Sequence, residues 1–178
     1  MADFFAEKWM KGVAVTTTCL AVMTAIAAAR GSACGAKTQL LTAIESSKWA
    51  YYQAKSIKLN LIETQKNAFE ADILGAANDQ QKAAYVEKIQ AASQEITRYD
   101  TEKNQIKKEA EETAATNIKL SKKGNFFSAA VVFFQIGIML SSVSALLKKQ
   151  YMWILGLGFG TIAVVLLGYG LLLQPLLF

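Results

Sequence analysis

Apolar and polar positions are divided unevenly along the chain. Residues 126–147 (FFSAAVVFFQIGIMLSSVSALL) are 22 uncharged residues in a row, and everything from Tyr151 onward is uncharged as well. At about 1.5 Å of helical rise per residue, such a run covers a hydrocarbon core roughly 30 Å thick. Lys148, Lys149 and Gln150 alone separate the two runs, which predicts a helical hairpin of two membrane spans, 126–147 and 151–174. Tyr151 and Trp153 fall at the level of an interfacial aromatic belt. A third apolar run, 12–30, follows a short amino tail (1–11) and is bounded by Lys11 and Arg30. A cleaved signal peptide is its rival reading; it is taken here as a retained first span.

Between the first and second spans the pattern changes to that of a solvated helix. Residues 31–124 hold most of the charge and no proline, and they are rich in Ala, Lys, Glu, Gln and Ile. Two arms, about 36–74 and 79–121, are separated by Gly75, Asn78 and Asp79, which supply a stop and a cap. Gly31, Gly35 and Gly124 are expected to set this insert apart from the spans. The second arm carries a 4-3 seam at Tyr85, Ile89, Ala92, Ile96, Tyr99, Lys103, Ile106, Ala110, Thr113, Asn117 and Leu120. The first keeps the same rhythm at Lys48, Tyr52, Lys55, Leu59, Ile62, Lys66, Phe69 and Ile73. The fold class expected is therefore an all-α integral membrane protein, with three transmembrane helices and a long antiparallel coiled-coil hairpin between the first and second. Folding about residue 77 sets Phe69 opposite Tyr85, Lys55 opposite Tyr99 and Tyr52 opposite Lys103, with Lys58 near Glu95 and Lys48 toward Glu109.

Composition removes whole chemistries. The chain has no histidine and two cysteines, Cys19 and Cys34, so His-based nucleophile activation, His-ligated metals and a four-cysteine metal site are all excluded. No phosphate-binding glycine loop is present. A net charge of +5 interleaved with acids is no nucleic-acid footprint. Neither a cofactor nor a small-molecule substrate is expected, and the chain reads as a non-enzyme.

The segment K-W-A-Y-Y-Q-A-K-S-I-K at residues 48–58 resembles the hallmark of a small bacterial membrane family known only as a domain of unknown function. Residues 99–110, beginning Tyr99-Asp-Thr-Glu-Lys103, form a second family-like stretch. The resemblance implies one span, a helical insert and two closing spans in a bacterial inner membrane, and it brings no activity. Positive-inside logic places the amino end and the Lys148-Lys149 loop in the cytoplasm and the hairpin in the periplasm.

The candidate contact residues follow from these patterns. Trp49, Tyr52, Gln53 and Lys55 in the first motif, with Tyr99, Glu102 and Lys103 in the second, are expected at the base of the coiled coil, with a lipid head group, a quinone or a partner subunit as the functional alternative. Glu95, Glu102 and Glu109 recur every seven residues and suit interhelical charge pairing better than a metal site. Gln135 is a strongly polar side chain at mid-depth in the second span; another subunit, Thr161 or backbone are its possible partners. Gly137, Ser141 and Ala145 on the second span, and Gly156 and Gly160 on the third, form small-residue stripes that pack the closing spans or join subunits. The function expected is a non-enzymatic accessory or structural subunit, in contact with membrane lipids, that assembles with itself or with a larger membrane complex through its hairpin and small-residue faces. An oligomeric pore is the alternative.

Overall fold

The computed structural model describes residues 2–76 and 78–172, with side chains from Trp9 onward. The centre of the expected hairpin turn at residue 77 and the last two residues of the expected third span, 173–174, lie outside that set. Three helices account for nearly all of it: α1 (Ala2–Leu74), α2 (Asp79–Leu147) and α3 (Gln150–Leu172). No strand occurs among the described residues. Each helix contains a stretch long and apolar enough to cross a membrane.

The helix ends are set locally. Gly75 follows the last residue of α1, but no described glycine has a positive φ. The end is instead closed by tight bonds from Gly75 N–H to Asp72 O and from Ala76 N–H to Ile73 O. Asn78 caps α2, its side-chain oxygen accepting from Gln81 N–H at 2.8 Å. At the other end of α2, Lys148 takes a left-handed φ of 51° and Lys149 N–H reaches back to Ser144 O at 3.1 Å. That is a Schellman close with lysine where glycine is usual.

Gly31, Gly35 and Gly124 do not interrupt anything; all three lie inside α1 or α2. Their cost is about 1 kcal/mol each relative to alanine, and good helix formers on both sides outweigh it. Two of them are used for packing instead. A Cβ on Gly31 would stand 3.5 Å from Phe127, and one on Gly124 would stand 3.5 Å from Cys34.

The chain divides into two compact units. The first comprises Met1–Gln39 and Ile118–Phe178, and the second is Leu40–Asn117, narrower than the 31–124 expected for the insert. The glycine contacts just described explain the difference: residues 31–39 and 118–124 pack within the first unit.

In that first unit, α2 lies against α1 and α3 around Phe127, Phe134, Ala130, Ala27, Ala163 and Leu167. Glycines let the backbones meet. A Cβ on Gly156 would fall 2.9 Å from Gly137 O and 2.8 Å from Ser141 Oγ. One on Gly160 would fall 2.9 Å from a Leu20 methyl, and one on Gly170 equally close to the Phe127 ring. These close approaches bring backbone against backbone and side chain, and dispersion contact over them holds the three helices together. Trp153 packs over Gly12 and donates its indole N–H to the Thr16 hydroxyl at 3.1 Å.

Ser141 is buried at this contact and its hydroxyl has no hydrogen-bond partner among the described residues. Replacing it by alanine removes a polar atom that is already unpaired. Ser141→Ala is therefore expected to leave stability unchanged or to raise it by up to about 1 kcal/mol. Thermal unfolding in detergent measures this, and a clear loss would reveal a partner for the hydroxyl.

Candidate functional site

In the second unit, contacts pair falling residue numbers in α1 with rising ones in α2. Every seam position expected there is buried or half-buried, with Leu59, Ala92 and Ala110 innermost. Phe69 and Tyr85 lie with ring centroids 6.3 Å apart, and Lys88 covers both rings. Lys48 approaches Glu109 at 3.6 Å and Thr113 at 3.1 Å. Asn117 donates to the Thr42 hydroxyl at 2.9 Å. Residue numbers sum to 154 at Phe69–Tyr85 and Lys55–Tyr99, to 157 at Lys55–Glu102 and Lys48–Glu109, and to 159 at Thr42–Asn117.

The densest polar cluster is built on Lys55. Its ammonium sits 4.8 Å from the centre of the Tyr99 ring and 5.4 Å from that of Tyr51, and it meets the Glu102 carboxylate at 2.5 Å. Arg98 also lies over the Tyr99 ring, 4.9 Å from its centre, and 3.7 Å from Glu102. The Glu102 hydrogen bond raises the pKa of Lys55 above its ordinary value, with burial opposing. The same bond holds the Glu102 carboxyl below the usual carboxylate range. Through this ammonium, flanked by two rings and tipped by a carboxylate, α1 is tied to α2 across the seam.

Of the two lysine–tyrosine crossings expected here, one is made. Lys103 turns to Asp100 on its own helix at 3.1 Å, and Tyr52 packs edge-on to Trp49 at 5.6 Å. Each has a partner three residues away, reachable without stretching across the seam. Glu95 likewise pairs with Arg98 rather than Lys58. Gln53 is exposed. The carboxylates of Glu95, Glu102 and Glu109 are all engaged in ion pairs. No group of three His, Cys, Asp or Glu that could hold a metal occurs among the described residues.

The small-residue stripes are occupied within the chain. Gly137, Gly156 and Gly160 are buried where α1, α2 and α3 meet, so in this structure they are not available to a partner. Gln135 has the opposite placement. It is exposed and makes no bond to Thr161, whose hydroxyl turns back to Gly158 O at 2.8 Å. Cys19 is exposed, and Cys34 is half-buried beside Gly124.

One surface was overlooked in the sequence. Leu40, Ala43, Ser47, Ala50, Ala54, Ile57, Leu61, Thr64, Ala68 and Ala71 follow a 3-4 spacing along α1, and all ten are exposed. They fall two residues after the inward seam, about 200° around the helix. No charge interrupts them, whereas the inward seam carries Lys48, Lys55 and Lys66. Amphipathicity is thus inverted: the solvent-facing stripe is the less polar one. Reading for a second period offset by two residues would have found it.

These features define an all-helical chain whose three helices are each long and apolar enough to cross a membrane. The chain belongs to the family described as Domain of unknown function (DUF4337), which matches residues 9–173. No curated protein and no solved structure matches it.

Proposed function

We propose that this chain is a non-enzymatic subunit of the bacterial inner membrane, anchored by three spans. Residues between the first two spans form an antiparallel coiled-coil hairpin in the periplasm, with the amino end in the cytoplasm. The hairpin engages copies of the same chain or another membrane complex. The observation that carries this reading is the charge-free stripe from Leu40 to Ala71. A solvated helix has no use for ten consecutive exposed heptad positions without a charge, among them Ile57 at 68% exposure and Leu61 at 57%. Positions opposite an inward seam normally carry the charge that keeps a helix soluble. Small side chains there let another helix approach closely, and the larger Ile57 and Leu61 supply contact area.

The test places charges on that stripe alone. Purified in mild detergent, the wild-type chain should run as an assembly, or bring a larger complex with it. Ile57→Glu with Leu61→Lys should weaken assembly by about tenfold or more, while circular dichroism and thermal unfolding of the chain stay unchanged. A wild-type chain that runs as a stable, partner-free monomer sinks the proposal.

A further inference from the structure

The exposed residues of α2 between 126 and 146 fall on a single line: Ser128, Val132, Gln135, Met139, Ser142 and Leu146. Their steps are 4, 3, 4, 3 and 4, the spacing of a coiled-coil seam. The remaining sides of α2 are covered by α1 and α3. At the centre of the line stands the amide of Gln135, exposed and without a hydrogen-bond partner among the described residues. Three hydroxyls on exposed span faces satisfy themselves within their own helix: Thr18 bonds Ala14 O, Ser142 bonds Ile138 O, and Thr161 bonds Gly158 O. A glutamine amide cannot do so as readily, and in hydrocarbon an unpaired amide is costly.

We infer that this stripe is the contact between two copies of the chain, paired through Gln135. The inference rests on the membrane reading above. All copies insert in one orientation, so a two-fold axis along the membrane normal sets α2 parallel to its counterpart, with every seam residue facing itself. Most side chains gain nothing specific from self-apposition. A primary amide does, because it carries both donors and an acceptor and is complementary to its own copy. Ser128 and Ser142, seven residues to either side, are small enough to let the helices close until the amides reach. Val132 and Met139 fill the turns between. A central polar residue in such a seam fixes register and copy number, as a buried amide does in soluble coiled coils. A lipid tail would satisfy Val132 and Met139 but not Gln135.

Single cysteines in native membranes test it. In a chain carrying Cys19→Ser and Cys34→Ser, Val132→Cys and Met139→Cys should give disulfide-linked dimers on mild oxidation. Val165→Cys, on α3 and 68% exposed, should give few. Adding Gln135→Leu should cut the Met139→Cys cross-link by about fivefold, the equilibrium shift of roughly 1 kcal/mol, and Gln135→Asn should retain most of it. Equal cross-linking at residue 165, or no effect of Gln135→Leu, overturns the inference. Carbonate extraction of the same membranes separates the two failures. A chain that stays in the pellet without cross-linking at 132 and 139 leaves the membrane reading intact and removes the pairing; a chain released to the supernatant removes the membrane reading itself.

Discussion

Gly156→Ala is expected to loosen α3 from α2 and lower the stability of the three-helix unit by about 1–3 kcal/mol. The added methyl would stand 2.9 Å from Gly137 O and 2.8 Å from Ser141 Oγ. The serine hydroxyl can rotate away, but the carbonyl belongs to the backbone of the neighbouring helix. Relief therefore requires α2 and α3 to separate along their contact, and dispersion contact is what holds helices together in lipid. Gly158→Ala, two residues on, is the control. Its Cβ would meet nothing within 4 Å, so it should be neutral or stabilising by up to about 1 kcal/mol through helix propensity. Thermal unfolding in detergent, or the urea dependence of protease nicking in α3, reports the difference. If both substitutions behave alike, Gly137 and Gly156 do not meet as described.

Much of this architecture is legible without coordinates, for reasons that can be named. An uncharged run such as 126–147 has one compact fate in water or lipid, and the 4-3 rhythm of Tyr85 to Leu120 marks a buried line. The start of α2 comes from capping by Asn78, which sequence also carries, whereas its end at Leu147 is legible from the charged break at Lys148-Lys149 and not from its cap, which sets a lysine where glycine is usual. What misleads is punctuation. Gly31, Gly35 and Gly124 sit where composition changes from apolar to charged. That change marks a change of surroundings, not the end of a helix, and single glycines among alanines and lysines do not break one. The Gly137 and Gly156 stripes are visible as small residues, but only packing shows that they face each other within one chain. Lys103 and Tyr52 fail to cross because seam arithmetic counts positions and ignores a partner one turn away. The stripe from Leu40 to Ala71 was hidden by the expectation that a coiled-coil arm has one apolar face.

Reversing a single charge in the Lys55 clamp is expected to destabilise the unit Leu40–Asn117, and reversing both should restore much of the loss. Lys55→Glu sets two carboxylates together at a seam where the residue 55 side chain is only 14% exposed, and it removes the cation from between Tyr51 and Tyr99. Glu102→Lys crowds a second ammonium against Lys55, with Arg98 already 3.7 Å from that position. The double variant regains opposite charges across the seam but not both ring contacts, so its recovery should be partial. Measured as thermal midpoints of the four chains, a non-additive rescue shows that residues 55 and 102 meet, and strictly additive losses would show that they do not. The pH dependence carries the same signature. The Glu102 pKa is lowered from 4.5 by folding, so its contribution is present above 4.5 and fades as pH falls through the folded value. The Lys55 pKa is raised from 10.5, so its contribution is complete below 10.5 and is lost as pH climbs through the folded value. The clamp thus acts in full between the two, muted by salt because Glu102 is 39% exposed. Between pH 7 and pH 3 the wild-type chain should lose more stability than Glu102→Gln, which has no carboxyl there to protonate. Equal acid losses in the two chains would mean that Glu102 stands free of Lys55.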